Sequence, residues 1–309
     1  MKRIYTHGEL EDLIQTRRPY LMVDRVQVSD DGTSAIGIKA ASMDEAFFQG
    51  HFPGNPVMPG VLQVAAMQQV STVLLARKAG ALNGKVPRLH KIEQVKFRKP
   101  VAPGDLVRIE ADRDPEDDAR FHARTLVGEE VTSQGTMTLE LADPDAVLAR
   151  PDEISPTLPK LTGLKPDTEL GVTEIMDILP HRFPFLLVDR ILSLDTENMR
   201  IVGLKNVTGT EPFFGGTGAL VLPGCLQAEI AAQVGCSMAL AAPEHHGKLV
   251  FFMAIDSCVF HHSIFPGDQL VVDIKVAAKR RFGRAGGPLY VGNRVVAEIA
   301  TKFAIVEQP

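Results

Sequence analysis

The sequence predicts an α+β protein built from two similar domains, each with one long buried helix wrapped by a curved antiparallel sheet. Three observations support this. A phrase ending in Val-Asp-Arg occurs in 20–26 and again in 185–191, a nearly all-apolar helical segment follows each phrase, and the remainder of each copy alternates with a period near two. A helix without a polar face has to be covered on all sides, and a curved sheet covers it economically.

Further matches keep the two copies in register. They pair Lys39 with Lys205, 45–48 with 211–214, 59–63 with 223–227, Gln69 with Gln233, Phe97 with Phe260, and 103–105 with 266–268. Unrelated sequences would not keep the same residues in the same order, so the chain is a tandem duplication. We expect domains at 1–142 and 169–309. The proline-rich segment 143–168 between them is typical of an extended linker outside either core.

The elements of the first copy follow from its patterning. A short amphipathic helix around Leu10 to Ile14 precedes a strand at 20–26, and the long helix begins at about Gly60. Alternating segments then predict the remaining strands, at 94–99, 106–110, 120–125 and 135–141, and in the second copy at 185–191, 270–276, 289–291 and 295–306. Gly292-Asn293 is typical of a hairpin turn.

The loop before the first long helix carries His51 and three prolines, at 53, 56 and 59. Proline fixes φ and removes an amide donor, so we expect the loop to run extended up to Gly60. A helix start offers unpaired N–H groups and the positive end of the dipole. A titratable imidazole delivered there is a candidate catalytic arrangement.

Composition limits the classes of function. A net charge of −5 argues against a nucleic-acid-binding protein, since phosphate recognition needs a basic excess. The three cysteines, Cys225, Cys236 and Cys258, lack metal-ligand or disulfide spacing and favour reduced thiols in a cytoplasmic protein. No apolar window is long enough for a membrane span. With neither a metal-ligand cluster nor a glycine-rich phosphate loop, we expect no metal and no cofactor.

Three segments, 180–190, 51–69 and 97–105, carry a family resemblance. Each copy resembles a FabZ-type β-hydroxyacyl-[acyl-carrier-protein] dehydratase, a hotdog-fold enzyme. The resemblance implies a lyase of fatty acid or polyketide-type synthesis that converts a (3R)-hydroxyacyl thioester to the trans-2-enoyl thioester. In that family two hotdog subunits pair side by side, and each active site takes a histidine from one subunit and a carboxylate from the helix of the other.

Departures from the family pattern are complementary in the two copies. The helix position that should carry the acid is Ala65 in the first copy and Glu229 in the second. The loop position that should carry the histidine is His51 in the first copy and Thr217 in the second. If the copies pair as the family's subunits do, one site combines His51 with Glu229 and the other combines Thr217 with Ala65. We therefore predict a pseudo-dimer with one working site per chain.

The resemblance and the residue chemistry together suggest roles. His51 is the expected base, and burial should keep Glu229 protonated as the acid. The amide of Gly60 is the expected donor to the thioester oxygen. Gln233, one turn from Glu229, would orient it, although a helix-packing contact shared with Gln69 explains the repeated glutamine equally well. The expected walls of the acyl tunnel are Phe47, Phe48, Val57, Met58 and Phe97.

The resemblance also implies a partner and leaves alternatives open. Acyl carrier protein is acidic, so its docking surface should be basic; the candidates are Arg17 with Arg18, Lys96 with Arg98 and Lys99, and 279–281 with Arg284. A CoA thioester is the alternative substrate, and further association of pseudo-dimers is open. The alternative functions are a FabA-like dehydratase and isomerase, suggested by Pro223-Gly224-Cys225, a hotdog thioesterase, and a non-catalytic acyl-binding scaffold.

Overall fold

The structure is a computed structural model that describes residues 3–80, 82–149, 158–213, 221–241, 245, 248–279 and 281–307. Its helices are α1 (His7–Ile14), α2 (Phe47–Gly50), α3 (Gly60–Lys78), α4 (Pro144–Leu148), α5 (Val172–Ile178) and α6 (Gly224–Ala241), with a 3-10 turn at Pro166–Thr168.

The strands of the first domain are β1 (Arg3–Tyr5), β2 (Arg25–Val28), β3 (Ser34–Ala40), β4 (Val86–Phe97), β5 (Leu106–Arg113), β6 (Arg120–Val127) and β7 (Glu130–Ala142). Those of the second are β8 (Arg190–Asp195), β9 (Arg200–Asn206), β10 (Lys248–Phe260), β11 (Gln269–Lys279), β12 (Phe282–Val291) and β13 (Arg294–Glu307).

All described strands belong to one antiparallel sheet of 13 strands, in the order β1-β2-β3-β5-β6-β7-β4-β10-β13-β12-β11-β9-β8. The domains join where β4 pairs with β10, with Val95 opposite Ile255 and Ile92 opposite Cys258. The strand order reads the same outward from this pair in both directions, from β4 through β7, β6 and β5 to β3, and from β10 through β13, β12 and β11 to β9. The two copies are thus related by a pseudo-twofold arrangement.

Each half of the sheet covers one long helix. Helix α3 packs on strands of the first domain and α6 on strands of the second, and the two helices contact each other. Both helices are buried on every side, including Gln63 and Gln69 on α3 and Gln227 and Gln233 on α6. The structure confirms the predicted fold class, two hotdog domains packed as a pair, and the predicted start of α3 at Gly60.

The strands predicted at 20–26 and 185–191 are largely wrong, since β2 begins only at Arg25 and β8 at Arg190. The buried backbone before each strand bonds to a helix side chain instead of to a neighbouring strand. Gln69 accepts from Met22 N (2.7 Å) and donates to the carbonyl of Tyr20 (2.7 Å). Gln233 does the same for the second copy, accepting from Leu187 N (2.9 Å). A glutamine amide thus supplies the donor and acceptor that a strand would have supplied.

Two loops also differ from expectation. The segment after His51 is not extended throughout, because Phe52 and Asn55 bond to each other's backbone across a turn and Gly54 adopts a φ of 78°. The linker is not wholly extended, since Pro144–Leu148 form α4, in which Val147 is buried. The domain boundaries stay a prediction. Among the described residues, no helix has the length and apolarity that a membrane span needs.

Candidate active site at the domain junction

A close backbone contact between the domains fixes the position of His51. Gly50, the last residue of α2, accepts a hydrogen bond from Arg182 N across the junction (3.0 Å). A Cβ atom on Gly50 would lie 2.0 Å from the carbonyl oxygen of Arg182, so only glycine permits this approach. The next residue, His51, is thereby held against the second domain.

The His51 ring contacts aromatic groups from both domains. It stacks on Phe52 with ring centroids 4.0 Å apart, and lies 5.5 Å from the ring centroids of both His181 and Phe185. Its Nδ1 lies 2.7 Å from the carbonyl oxygen of Val57. A carbonyl only accepts, so Nδ1 carries the proton, and the lone pair of the neutral ring is on Nε2.

Desolvation of the imidazole, with a smaller effect of the nearby His181, lowers the pKa of His51 from 6.5 to about 4, although Glu229 opposes the change. His51 is therefore neutral near pH 7. A neutral imidazole with a free Nε2 is the form that a general base requires.

Glu229 lies in the first turns of α6, 5% exposed, with two hydrogen-bonding neighbours. Gln233 Nε2 donates to Glu229 Oε1 (2.9 Å), and His181 Nε2 lies 3.5 Å from the same oxygen. Gln233 combines this contact with its backbone bonds to 185 and 187, so its packing and orienting roles coexist.

The structure contradicts the expectation that burial keeps Glu229 protonated. Desolvation does act to raise the pKa of Glu229, but hydrogen bonding and charge from His181, together with His51 and Gln233, outweigh it and lower the pKa below its usual value. In the unliganded protein this carboxyl group is therefore ionised. The sequence argument counted apolar neighbours on the helix and omitted the histidine that faces it.

His181 is the site residue that sequence reasoning missed. It is buried, 8% exposed, and its ring lies between His51 and Glu229 while Nδ1 has no hydrogen-bond partner. A signal was available, because Thr16 occupies the corresponding position of the first copy. The copy that keeps the acid also keeps this histidine.

The remaining predicted site residues fall into two groups. Gly60 is the first residue of α3, and a Cβ there would lie 2.8 Å from the Phe97 ring, so glycine is required for packing whatever its amide does. Phe47, Phe48 and Met58 are buried, and the Phe97 ring packs at a tilt against Phe252 with ring centroids 5.2 Å apart. Their role as tunnel walls and that of the Gly60 amide stay predictions.

The predicted second site is only partly described. Ala65 is fully buried on α3, as an alanine at that helix position should be. Thr217 lies outside the described residues. Within the described part of the chain, no group of three or more histidine, cysteine, aspartate or glutamate side chains is arranged to hold a metal ion.

Comparison with known proteins supports the duplication. The FabA-like domain family matches residues 15–133 and again 179–300. The 3-hydroxyacyl-[acyl-carrier-protein] dehydratase FabZ of Pelotomaculum thermopropionicum is 45% identical over 139 residues, 44% of this chain and 99% of the relative. The FabZ of Herpetosiphon aurantiacus is 47% identical over 141 residues, 45% of this chain and 99% of the relative.

Two solved structures share the fold over nearly the whole chain. The dehydratase domain of RzxB from Pseudomonas fluorescens has a TM-score of 0.62 at 13% identity and covers 94% of this chain and 98% of its own. The dehydratase domain from the CurJ module of curacin polyketide synthase has a TM-score of 0.62 at 14% identity, covering 93% and 97%. With both of its halves matched by the same domain, the chain belongs to the FabA-like family.

Proposed function

We propose that the protein is a hydro-lyase that converts a 3-hydroxyacyl thioester to the trans-2-enoyl thioester, in fatty acid or polyketide-type synthesis, at one composite site per chain. The cluster of His51 from one domain with His181 and Glu229 from the other is the observation that carries the proposal. The FabZ relatives are named as dehydratases of this substrate class.

In the proposed reaction, Nε2 of neutral His51 removes a proton from C2 of the substrate. The electron pair forms the C2–C3 double bond as the C3–O bond breaks. Charge developing on the thioester oxygen is stabilised by the Gly60 amide at the positive end of α3. The hydroxide leaves as water after taking a proton.

That proton comes from the Glu229–His181 pair rather than from Glu229 alone. His181 Nε2 lies 3.5 Å from Glu229 Oε1, close enough for a proton to pass between the two groups. Glu229 would accept the hydrogen bond of the C3 hydroxyl and relay the proton from His181. His51 then returns its proton to the pair through solvent or product water.

A basic surface where the sheets of the two domains join fits the acidic surface of acyl carrier protein. Lys96, Lys302 and Arg284 lie in one row across β4, β10, β13 and β12, through the register pairs Lys96–Ala254, Ala254–Lys302 and Lys302–Arg284. Lys302 is paired with Asp256 (2.6 Å), which lies on the same surface, so Lys96 and Arg284 are the members of the row that would meet an acidic partner.

This row belongs to a larger groove of about 950 Å³. Lys279 and Arg98 also line it, with exposed Met253 and Phe282 as apolar contacts. Two of the three predicted basic clusters thus meet in one place, although Arg280 lies outside the described residues. The third is less suitable, because Arg17 is paired with Glu11 and Asp12. Phe97 lines the groove and packs on Gly60, which connects the groove to the proposed site.

The reaction is tested by incubating the full chain with a 3-hydroxyacyl thioester and analysing the products. We expect the trans-2-enoyl thioester. A cis-3 isomer would support the FabA-like alternative and a free acid the thioesterase alternative. If no substrate of any acyl length, on acyl carrier protein or on CoA, gives a product, the proposal is overturned. The remaining alternative is then a non-catalytic acyl-binding scaffold.

The carrier is tested with the double substitution Lys96→Glu and Arg284→Glu. We expect a severalfold higher KM for substrate on acyl carrier protein and an unchanged KM for the same acyl group on pantetheine. Lys160→Glu, at an exposed lysine in the linker, is the control. Equal effects on both substrates would contradict docking at this groove.

A further inference from the structure

The structure contains a second cavity at the junction, on the side where the catalytic pair is missing. It has a volume of about 180 Å³ and lies at the start of α6, where Gly224 corresponds to Gly60. Its walls include Phe213, Leu222 and Phe260, the counterparts of Phe47, Met58 and Phe97. The second site has therefore lost its catalytic residues and kept a cleft with the same kind of walls.

One polar atom in this cavity lacks the partners that its counterpart has. Gln63 Oε1 in the first domain accepts hydrogen bonds from Thr125 and Thr132, both at 2.9 Å. The counterparts of these threonines in the second domain are Leu289 and Val296, which have no donor. Gln227 lines the cavity and is 3% exposed, and its Oε1 has no hydrogen-bond partner.

A second polar atom has been added. Tyr20 lines the same cavity at the position where the working site has Phe185. It is 5% exposed, and its hydroxyl lies beside the Cys225 thiol without a hydrogen-bond partner of normal geometry. Leaving a buried hydroxyl or amide oxygen without a hydrogen-bond partner destabilises the folded protein. Two such atoms in one cavity indicate a ligand that pairs with them.

We propose that this second cavity binds a short 3-hydroxyacyl thioester without converting it. The ligand class rests on the proposed function, because the walls are those of the working site. The Tyr20 hydroxyl would donate to the thioester carbonyl, and Gln227 Oε1 would accept from the 3-hydroxyl. The volume of about 180 Å³ exceeds the ~150 Å³ of a cavity that holds benzene, so a four-carbon hydroxyacyl group fits. Ala65 and Thr16 replace the acid and its histidine, so bound ligand is not dehydrated.

The test uses the chain carrying Glu229→Gln, which slows consumption of the ligand, and 3-hydroxybutyryl-pantetheine as the probe. With three tyrosines and no tryptophan in the chain, the ring signal of Tyr20 can be followed by NMR of tyrosine-labelled protein. We expect a saturable shift of the Tyr20 signal and two bound ligands per chain by calorimetry. Gln227→Leu should weaken the binding that shifts Tyr20 about 3- to 10-fold.

A second variant, Tyr20→Phe, should fold normally, because phenylalanine occupies the equivalent position, 185, in the second copy. It should weaken the second binding event about 3- to 10-fold, as Gln227→Leu does, and the matched control Tyr290→Phe should leave both binding events unchanged. The inference would be overturned if millimolar ligand left the Tyr20 signal unmoved. It would also be overturned if the Glu229→Gln chain, without a further substitution, bound only one ligand. Dehydration by the unsubstituted chain is assayed separately. Activity without a Tyr20 shift defeats only this inference, and a Tyr20 shift without activity defeats only the proposed function.

Discussion

The two ends of the domain junction have the same framework and different chemistry. At one end His51, His181 and Glu229 form a polar cluster between the start of α3 and the first turns of α6. At the other end the counterparts of His181 and Glu229 are Thr16 and Ala65, and a cavity remains. The shared glycines, glutamines and aromatic side chains are features of the fold, whereas the three differing side chains are those that we assign to the proposed reaction.

The largest expected effect comes from removing the polar cluster. His51→Ala and Glu229→Gln should each reduce kcat/KM for dehydration about 10²- to 10⁴-fold, as loss of a general acid or base does. The two substitutions together should cost little more than either one, since both act in one step. The control is His261→Ala, at a histidine paired with Glu298 outside the cluster. Near-normal rates in both single variants would show that the reaction does not take place at the His51–Glu229 end of the junction.

Gly50→Ala should disturb the working end through the backbone. The new Cβ would lie 2.0 Å from the Arg182 carbonyl, so the domains must separate beside His51. We expect a loss of about 1–3 kcal/mol in unfolding free energy, as for other overpacked sites, and a fall in kcat. In Gly8→Ala the added Cβ meets nothing within 4 Å, so stability and activity should be kept. Unchanged kcat in Gly50→Ala would show that this contact does not position His51.

Gln233→Leu and Gln69→Leu separate packing from positioning. Both glutamines bond to the buried backbone before a strand, and only Gln233 also donates to Glu229. We expect both variants to lose about 1–3 kcal/mol of unfolding free energy because buried backbone groups become unpaired. Only Gln233→Leu should also lower kcat and change the pH dependence of kcat. Equal kcat in the two variants would show that Gln233 contributes to packing and does not position Glu229.

The smallest effect expected is on the acid side of the pH profile. Because desolvation lowers the pKa of His51 to about 4, kcat/KM should stay level below pH 6.5, the ordinary pKa of histidine, and fall only toward pH 4. A half-maximal fall near pH 6.5 would contradict the site as described.

The unfolding free energy should also depend on pH through His51. The folded state binds fewer protons at His51 than the unfolded chain does between about pH 4 and 6.5, so unfolding free energy decreases as the pH falls through this range. His51→Gln should therefore lose less stability on acidification than the unsubstituted chain, measured by denaturant unfolding at each pH. Parallel losses would show that His51 is not desolvated.

The repeat carried most of the predictive content of the sequence. Matching the copies predicted two similar domains and separated Glu229 from Ala65, and the family resemblance implied that each domain is a hotdog fold. Predictions from the local residue pattern of one copy failed where a side chain distant in the sequence makes the contact that a neighbouring residue or strand was expected to make. The strands at 20–26 and 185–191 were wrong because Gln69 and Gln233 pair with that backbone. The ionisation of Glu229 was wrong because it depends on His181, which lies 48 positions away along the chain and next to it in space.

The linker has a consequence for how the active form arises. On the proposed composite site, two first domains would bring together only His51 and Ala65. Two second domains would bring together only Glu229 and Thr217, so each such pair would lack one of the two proposed catalytic residues. Joining the domains through α4 and the following segment raises the effective concentration of the correct partner far above that of a second chain. Each chain then contains both halves of the proposed site, so we expect activity to be proportional to chain concentration and not to depend on encounters between separate domains.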